Sequence, residues 1–278
     1  MNNSVINLDT YIFIDGSYFC FYRYYSLINW WKNAYPEDPL GNPILNPVFV
    51  DKFKKTFVEH VAQIPKKLGL PINQTVKILV GKDCKREEIW RTQLFPNYKA
   101  NRPHDDSFLG GPFFKMAYDD GLFIQGGAHQ ILYNNHLEAD DCIAIMVKHV
   151  LPDKQIFIIT SDKDYLQLSK PNISIYNLAY KKLTEQKSSA GNPECDLFCK
   201  IVMGDPSDNI KSVLKKCGPK TALKCFENRA YFEERMKTEN AYNLYKLNET
   251  LVDFNKIPEE LVKEFLHSLK PLVTFTHP

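Results

Sequence analysis

The residues best suited to do chemistry are acids that arrive in short, widely separated clusters. Asp15 stands in Ile-Asp-Gly-Ser, Asp83 in Gly-Lys-Asp-Cys, and Glu138, Asp140 and Asp141 in Leu-Glu-Ala-Asp-Asp. Asp162 and Asp164 stand in Thr-Ser-Asp-Lys-Asp, and Asp205 and Asp208 in Gly-Asp-Pro-Ser-Asp-Asn. Several carboxylates cannot share a small volume while ionised, because like charges raise each other's pKa and destabilise the fold. If they converge, a cation is required. Hard oxygen donors without a His/Cys cluster favour magnesium or manganese over zinc. Two such ions about 4 Å apart can activate a water and stabilise the leaving oxygen of a phosphodiester. Each cluster alone also has a plain structural use: acids at a helix start cap it, Asp-Gly makes turns, and paired loop acids are often merely solvated. The joint pattern is what points to a site.

The elements that would position these acids are legible as hydrophobic runs. Tyr11–Ile14 ends in Asp15, Val76–Val80 lies just before Asp83, and Ile156–Thr160 lies just before Asp162. Each reads as a buried parallel strand. Helical patterns over Val50–Leu68 and Ala139–Val150 lie between them, so strands alternate with helices and predict a doubly wound, mostly parallel α/β sheet. In such sheets the ligand site lies beyond the carboxyl ends of the strands, where the acids fall. Beyond about residue 196 the strand signal fades and helices over Glu194–Met203, Pro219–Glu227 and Pro258–Leu269 predict a helical C-terminal subdomain. Asn97–Pro112 is polar and Gly/Pro-containing and reads as a loop.

Composition sets limits on this picture. A chain of 278 residues with 44% hydrophobic residues can bury a substantial core. The formal charge of +2 means that any nucleic-acid binding must come from the placement of basic residues. Seven cysteines, none in a Cys-x-x-Cys pair, argue against a disulfide framework and a zinc ribbon. The polar start and the short apolar run after it give no signal or membrane segment, so the expectation is a cytoplasmic, monomeric chain with no membrane partner.

The matching segments Phe13-Ile-Asp-Gly-Ser, Trp90-Arg91, Phe95-Pro-Asn-Tyr-Lys-Ala-Asn-Arg102, Glu138-Ala-Asp-Asp, Thr160-Ser-Asp-Lys-Asp-Tyr-Leu-Gln-Leu168, Gly204-Asp-Pro-Ser-Asp-Asn-Ile210 and, more weakly, Gly218-Pro-Lys-Thr-Ala222 run through most of the chain in one order. In these the chain resembles the flap-endonuclease-type 5′-nucleases, particularly their bacteriophage RNase H and 5′-3′ exonuclease branch. The resemblance implies a PIN-like nuclease domain over residues 1–195, with an arch region at about 85–115. It also implies a helix-three-turn-helix subdomain over 196–278 that grips duplex DNA. Carried over by position, Asp15, Asp83, Glu138, Asp140, Asp162 and Asp164 would be the core metal ligands. Asp141, Asp205 and Asp208 would complete the cluster, directly or through water. The implied cofactor is Mg2+, as two ions, with Mn2+ able to substitute. The implied partners are DNA with a 5′ flap, nick or RNA primer, together with replication proteins, and a phage or viral origin would place the enzyme in a host cell.

Basic residues then take expected roles. Arg91, Lys99 and Arg102 are the candidates for gripping the scissile phosphate. Lys82 and Lys85 read more simply as a solvated face, and Tyr98 either stacks on a base or is buried. The turn into a helix at Gly218-Pro219, with Lys220 and Thr221, offers backbone amides and a charge to a phosphate. Lys211, Lys215 and Lys216 stand where the family has a glycine-richer hairpin that often holds a monovalent cation. A Pro103–Pro112 loop carrying Asp105 and Asp106 argues against a long closed arch, and the stretch after Pro271 is too short for a clamp-binding segment. The aromatic stretch Tyr22, Tyr24, Tyr25, Trp30 and Trp31 is expected to pack rather than stack on nucleic-acid ends. Two other readings compete. An inert nucleic-acid-binding module gains nothing from acids that repel phosphate, and a PIN-type ribonuclease toxin predicts a much shorter chain without the Asp205–Ala222 region.

Overall fold

A computed structural model describes residues 9–102 and 107–270. Asp105 and Asp106, and the stretch after Pro271, lie outside the described residues. Strand β1 (Thr10–Asp15) runs into helix α1 (Gly16–Ala34), with Asp15 serving both as the last strand residue and as the helix cap, accepting the Tyr18 N–H at 3.1 Å. Helix α2 (Pro47–Lys67) starts at Asn46, whose side chain accepts the Phe49 N–H, with proline in the first turn where its missing N–H costs nothing. Its buried residues Phe49, Phe53, Phe57, Val61 and Ile64 recur at helical spacing on one face. Then follow β2 (Val76–Gly81), α3 (Trp90–Leu94), α4 (Gly111–Asp119), α5 (Leu122–Gln125) and β3 (Ala128–Leu132). Helix α6 (Ala139–Ile145) continues into a π-helical turn at Met146–Val150 before β4 (Gln155–Ile159) and β5 (Ile173–Tyr176). The remainder is helical: α7 (Pro193–Met203), α8 (Pro219–Glu227), α9 (Arg229–Thr238), α10 (Tyr242–Val252) and α11 (Glu259–Ser268).

The five strands form one parallel sheet in the order β3-β2-β1-β4-β5. The chain therefore leaves the central strand β1 toward β2 and β3, then returns to its other side for β4 and β5. This reversal opens a crevice at the carboxyl ends of β1 and β4. Strand periodicity feeds two cores. Tyr11, Phe13, Leu79, Ile156 and Ile158 face the layer with α6, while Ile12, Ile14, Ile78, Val80 and Ile159 face the layer with α1, α2, α4 and α5. Because both faces are covered, these strands read as continuous apolar runs rather than alternating ones.

Phe198, Val202, Val213, Leu214, Cys225, Phe232, Met236 and Ala241 build a smaller helical core, and a further cluster joins Cys84, Ile89 and Tyr98 to Ile201, Ile210, Leu251 and Val252. The expected boundary after residue 195 falls inside α7, and Phe254, Ile257 and Phe265 pack in the sheet's core rather than in the helical one. All seven cysteines are free. Tyr24 and Trp31 are buried in the α1–α2 layer, as the packing expectation has it, while Tyr22 and Tyr25 are exposed. Among the described residues no helix is long and apolar enough to cross a membrane.

Candidate metal centre and nuclease site

The crevice holds a cavity of about 240 Å³ lined by Asp15, Asp83, Glu138, Asp140 and Asp162, with Lys99 and Arg102 on its wall. Asp15 arrives from the end of β1, Asp83 and Asp162 from the turns after β2 and β4, and Glu138 and Asp140 from the start of α6. Close approach is enforced by Gly16. A Cβ there would lie 2.5 Å from the Gly81 carbonyl oxygen and against the Tyr118 hydroxyl.

Neutral donors hold the carboxylates. Asp15 accepts from the Thr160 hydroxyl at 3.0 Å, and Asp83 accepts from the Ser17 hydroxyl at 2.5 Å and the Ala139 N–H at 2.8 Å. Asp162 accepts the Asp164 N–H at 2.9 Å, and Asp140 accepts the Asp141 N–H at 2.8 Å. Among the described residues, no lysine or arginine forms an ion pair with Asp15, Asp83, Asp140 or Asp162. The cost shows in their titration. Burial, then the charges of Asp83 and Asp162, pushes the Asp15 carboxyl up to about 7. Burial, with Asp141 and Glu138 beside it, raises Asp140 well above the usual carboxylate range. A hard cation placed among these oxygens would remove that penalty.

A second group is built differently. Asp164, Asp205 and Asp208 each offer an oxygen within 4.8 Å of the others'. Here the chain supplies its own cations: Lys200 Nζ lies 2.6 Å from Asp164 Oδ1 and 2.5 Å from Asp205 Oδ2, and Arg102 reaches Asp208 Oδ1 at 2.5 Å. Burial raises Asp205, but the Lys200 ammonium and Ser207 outweigh it and bring the carboxyl down to about 2. Asp164 remains high, at about 7, because burial and Asp162 outweigh Lys200.

Behind the cavity, Arg91 departs from its expected phosphate-gripping place. Its side chain is 2% exposed and fully engaged: two bonds of 2.7 Å to Asp141, one of 2.9 Å to Glu138, and Nε–H to the Leu251 carbonyl at 2.7 Å. Asp141 is 0% exposed, and its oxygens also accept from Trp90 Nε1 at 2.9 Å, so it faces Arg91 and Trp90 rather than the cavity. Tyr98 is likewise buried, donating to Glu138 at 3.0 Å, which removes it as a base-stacking platform. Lys99 does face the cavity. Its ammonium pairs with Glu138 and lies 3.9 Å from Asp208, and its positive φ of 55° is held by a 2.9 Å bond from its N–H to the Asp208 carbonyl.

Lys211, Lys215, Lys216, Gly218 and Lys220 are exposed and Thr221 is half-buried, leading into α8; none lines the acidic cavity. Lys82 lies over the rings of Tyr118 and Tyr133, and Lys85 is exposed beside Glu88. The residues the sequence reading missed are Ser17, Thr160 and Lys200. The first two sit within two residues of acids already singled out. Lys200 lies one helical stretch before Asp205, but a lone lysine on a helix carries no signal of its partners.

The family model of the 5′-3′ exonuclease N-terminal resolvase-like domain matches residues 10–192. The chain belongs to that family. Ribonuclease H of Enterobacteria phage T4 is 28% identical to this exonuclease-family chain over 251 residues, covering 82% of each. A 5′-3′ exonuclease of Bacillus subtilis is 33% identical over 143 residues, 49% of this chain and 47% of that one. Among solved structures, the bacteriophage T5 D15 flap endonuclease, in a pseudo-enzyme-product complex with DNA and metal ions, superposes with a TM-score of 0.67. At 17% identity, over 93% of this chain and 97% of that one, it shows the shared fold.

Proposed function

We propose that this family member is a metal-dependent 5′-to-3′ exonuclease and flap endonuclease, hydrolysing phosphodiesters with two Mg2+ ions, for which Mn2+ can substitute. The observation that carries the reading is the set of four carboxylates, Asp15, Asp83, Asp140 and Asp162, brought to one cavity without any protein cation paired to them. Such a set can stay ionised near neutral pH only with a bound cation, and otherwise takes up protons. Their all-oxygen character suits Mg2+ or Mn2+, and Glu138 completes the rim. A divalent ion held by these residues would supply an activated water and charge stabilisation at the scissile phosphate.

The chain's own residues do the rest. Ser17 and Thr160 aim Asp83 and Asp15 into the cavity. Lys99 and Arg102 stand on the wall where a phosphate oxygen would enter, and both have ordinary reach to exchange a carboxylate for it. Arg91 is a positioning residue that fixes Glu138 and Asp141 from behind. The lysines around Gly218 are suited to duplex phosphates away from the cut, and DNA with a 5′ flap, nick or RNA primer is the proposed substrate. We place the enzyme in replication, as a monomer acting inside a cell, in keeping with a phage relative.

The deciding experiment is cleavage of end-labelled flap, nicked and RNA-primed duplexes in Mg2+, with Asp15→Asn and Asp162→Asn beside the unaltered protein. Cleavage that depends on metal and falls by about a hundredfold or more in both variants is expected. Near-normal cleavage in either variant would remove the assignment.

A further inference from the structure

The two acidic groups differ in one respect that bears on how cations enter. Around Asp15, Asp83, Asp140 and Asp162 the partners are hydroxyls and backbone amides. In the Asp164–Asp205–Asp208 group an ammonium already occupies the space between two carboxylates, with Lys200 Nζ at 2.6 and 2.5 Å from Asp164 and Asp205. Both contacts are closer than the roughly 2.7–2.9 Å usual for an ammonium against a carboxylate, so the nitrogen fills the gap between the two acids. Arg102 neutralises only Asp208, from a half-exposed position where it also donates to the Ser207 carbonyl at 3.2 Å. Lys200 is the cation held between two of the acids and only 21% exposed.

We propose that the Lys200 ammonium is a built-in competitor for the second divalent ion: it fills the Asp164–Asp205–Asp208 group in the resting protein and must swing out before a cation can bind there. This rests on the metal-dependent reading above. The contact is suited to exchange. Lys200 Nζ divides its contacts between Asp164 Oδ1 at 2.6 Å and Asp205 Oδ2 at 2.5 Å, so neither carboxylate holds it in a two-point grip. An ammonium on a four-carbon stem is a mobile point charge, unlike the forked guanidinium that clamps Asp141. Once displaced, Lys200 needs a new anion, and a DNA phosphate entering the cavity is one. Cation filling is then ordered: the unpaired group first, the Lys200 group second and more readily when DNA is present.

The test is Mn2+ titration of the DNA-free protein, with free Mn2+ counted by electron paramagnetic resonance. The unaltered protein should show one tight class of site and a second class weaker by about tenfold or more. In Lys200→Met, and independently in Lys200→Gln, the second class should tighten by about tenfold while the first changes by less than about threefold. A second class that stays put in both variants overturns the competitor role and leaves the nuclease reading intact. A protein that binds no Mn2+ at all overturns both. Should the variants not fold, 15N-lysine NMR of the unaltered protein decides the matter. The shielded ammonium signal of Lys200 should survive the first equivalent of diamagnetic Mg2+ and shift as the second binds, and a signal unmoved through saturation overturns the proposal.

Discussion

Asp15 and Asp205 belong to the two different acidic groups and titrate in opposite directions, and the difference is their neighbours. Asp205 is held down at about 2 by Lys200 and Ser207, whereas Asp15, buried beside Asp83 with no cation paired to it, sits at about 7. The signs give a stability prediction. A folded carboxyl raised above its unfolded value binds a proton in the native state over roughly pH 4 to 7, so metal-free stability falls as pH rises through that window. Asp164 is also lifted to about 7 and acts in the same sense. Asp205 works oppositely, but its contribution is already complete above its ordinary range and is lost only toward pH 2. Metal-free protein should therefore melt lower at pH 8 than at pH 5.5, by on the order of 5 °C. Mg2+ should recover more at pH 8 than at pH 5.5, since the cation takes the proton's place. Differential scanning fluorimetry in chelator and in Mg2+ reads both effects. A metal-free melting point that is flat or rises over this window would contradict the unpaired-acid account.

At the scale of elements, the site depends on how closely β1, α1 and β2 approach one another, and Gly16 sets that distance. Gly16→Ala would press a methyl against the Gly81 carbonyl and the Tyr118 hydroxyl. The backbone of Gly81 is fixed by its pairing with Asp15 across β1 and β2, so the displacement passes directly to the ligand residue. A loss of about 1–3 kcal/mol is expected from overpacking, with flap cleavage down by at least about tenfold because the Asp15–Asp83 geometry shifts. Unchanged urea midpoint and rate would show that the approach is looser than drawn. The same elements show what the sequence could reveal. The strands β1, β2 and β4 were legible because both faces are buried and their runs are almost wholly apolar, Lys77 being the polar interruption in β2. Strand β3, Ala-His-Gln-Ile-Leu, and the four-residue β5, Ile-Ser-Ile-Tyr, lie at the sheet's edges, where one face is polar and the run too short to show a period. Among the cavity acids, Asp15, Asp83 and Asp162 were legible from their position after strands, and Glu138 and Asp140 from their place at a helix start. That Arg91 would be sealed behind Asp141, and that Lys200 would sit among acids, was not, since both outcomes depend on packing between segments far apart in sequence.

For the whole molecule, the C-terminal helices are not an appendage to the nuclease fold. The end of α10 receives Arg91 at the Leu251 carbonyl, and Gln167, which also bonds the Asp164 carbonyl at 2.9 Å, bonds both the Val252 carbonyl and the Phe254 N–H. The chain then turns back, and Phe265 of α11 is fully buried in the same core as Tyr11, Phe13 and Ile143. Helix α11 is thus a structural layer of the sheet, while Phe198–Ala241 form a separate helical core. Phe265→Ala should cost about 3–5 kcal/mol, the range for a large ring removed from a close-packed core, which for a chain of this size lowers the melting point by roughly 6–15 °C. The loss should appear in one cooperative transition followed by both near- and far-ultraviolet circular dichroism, because the sheet and the last helix share one core. Two separated transitions, with only the smaller displaced, would instead mark α11 as part of an independent C-terminal unit.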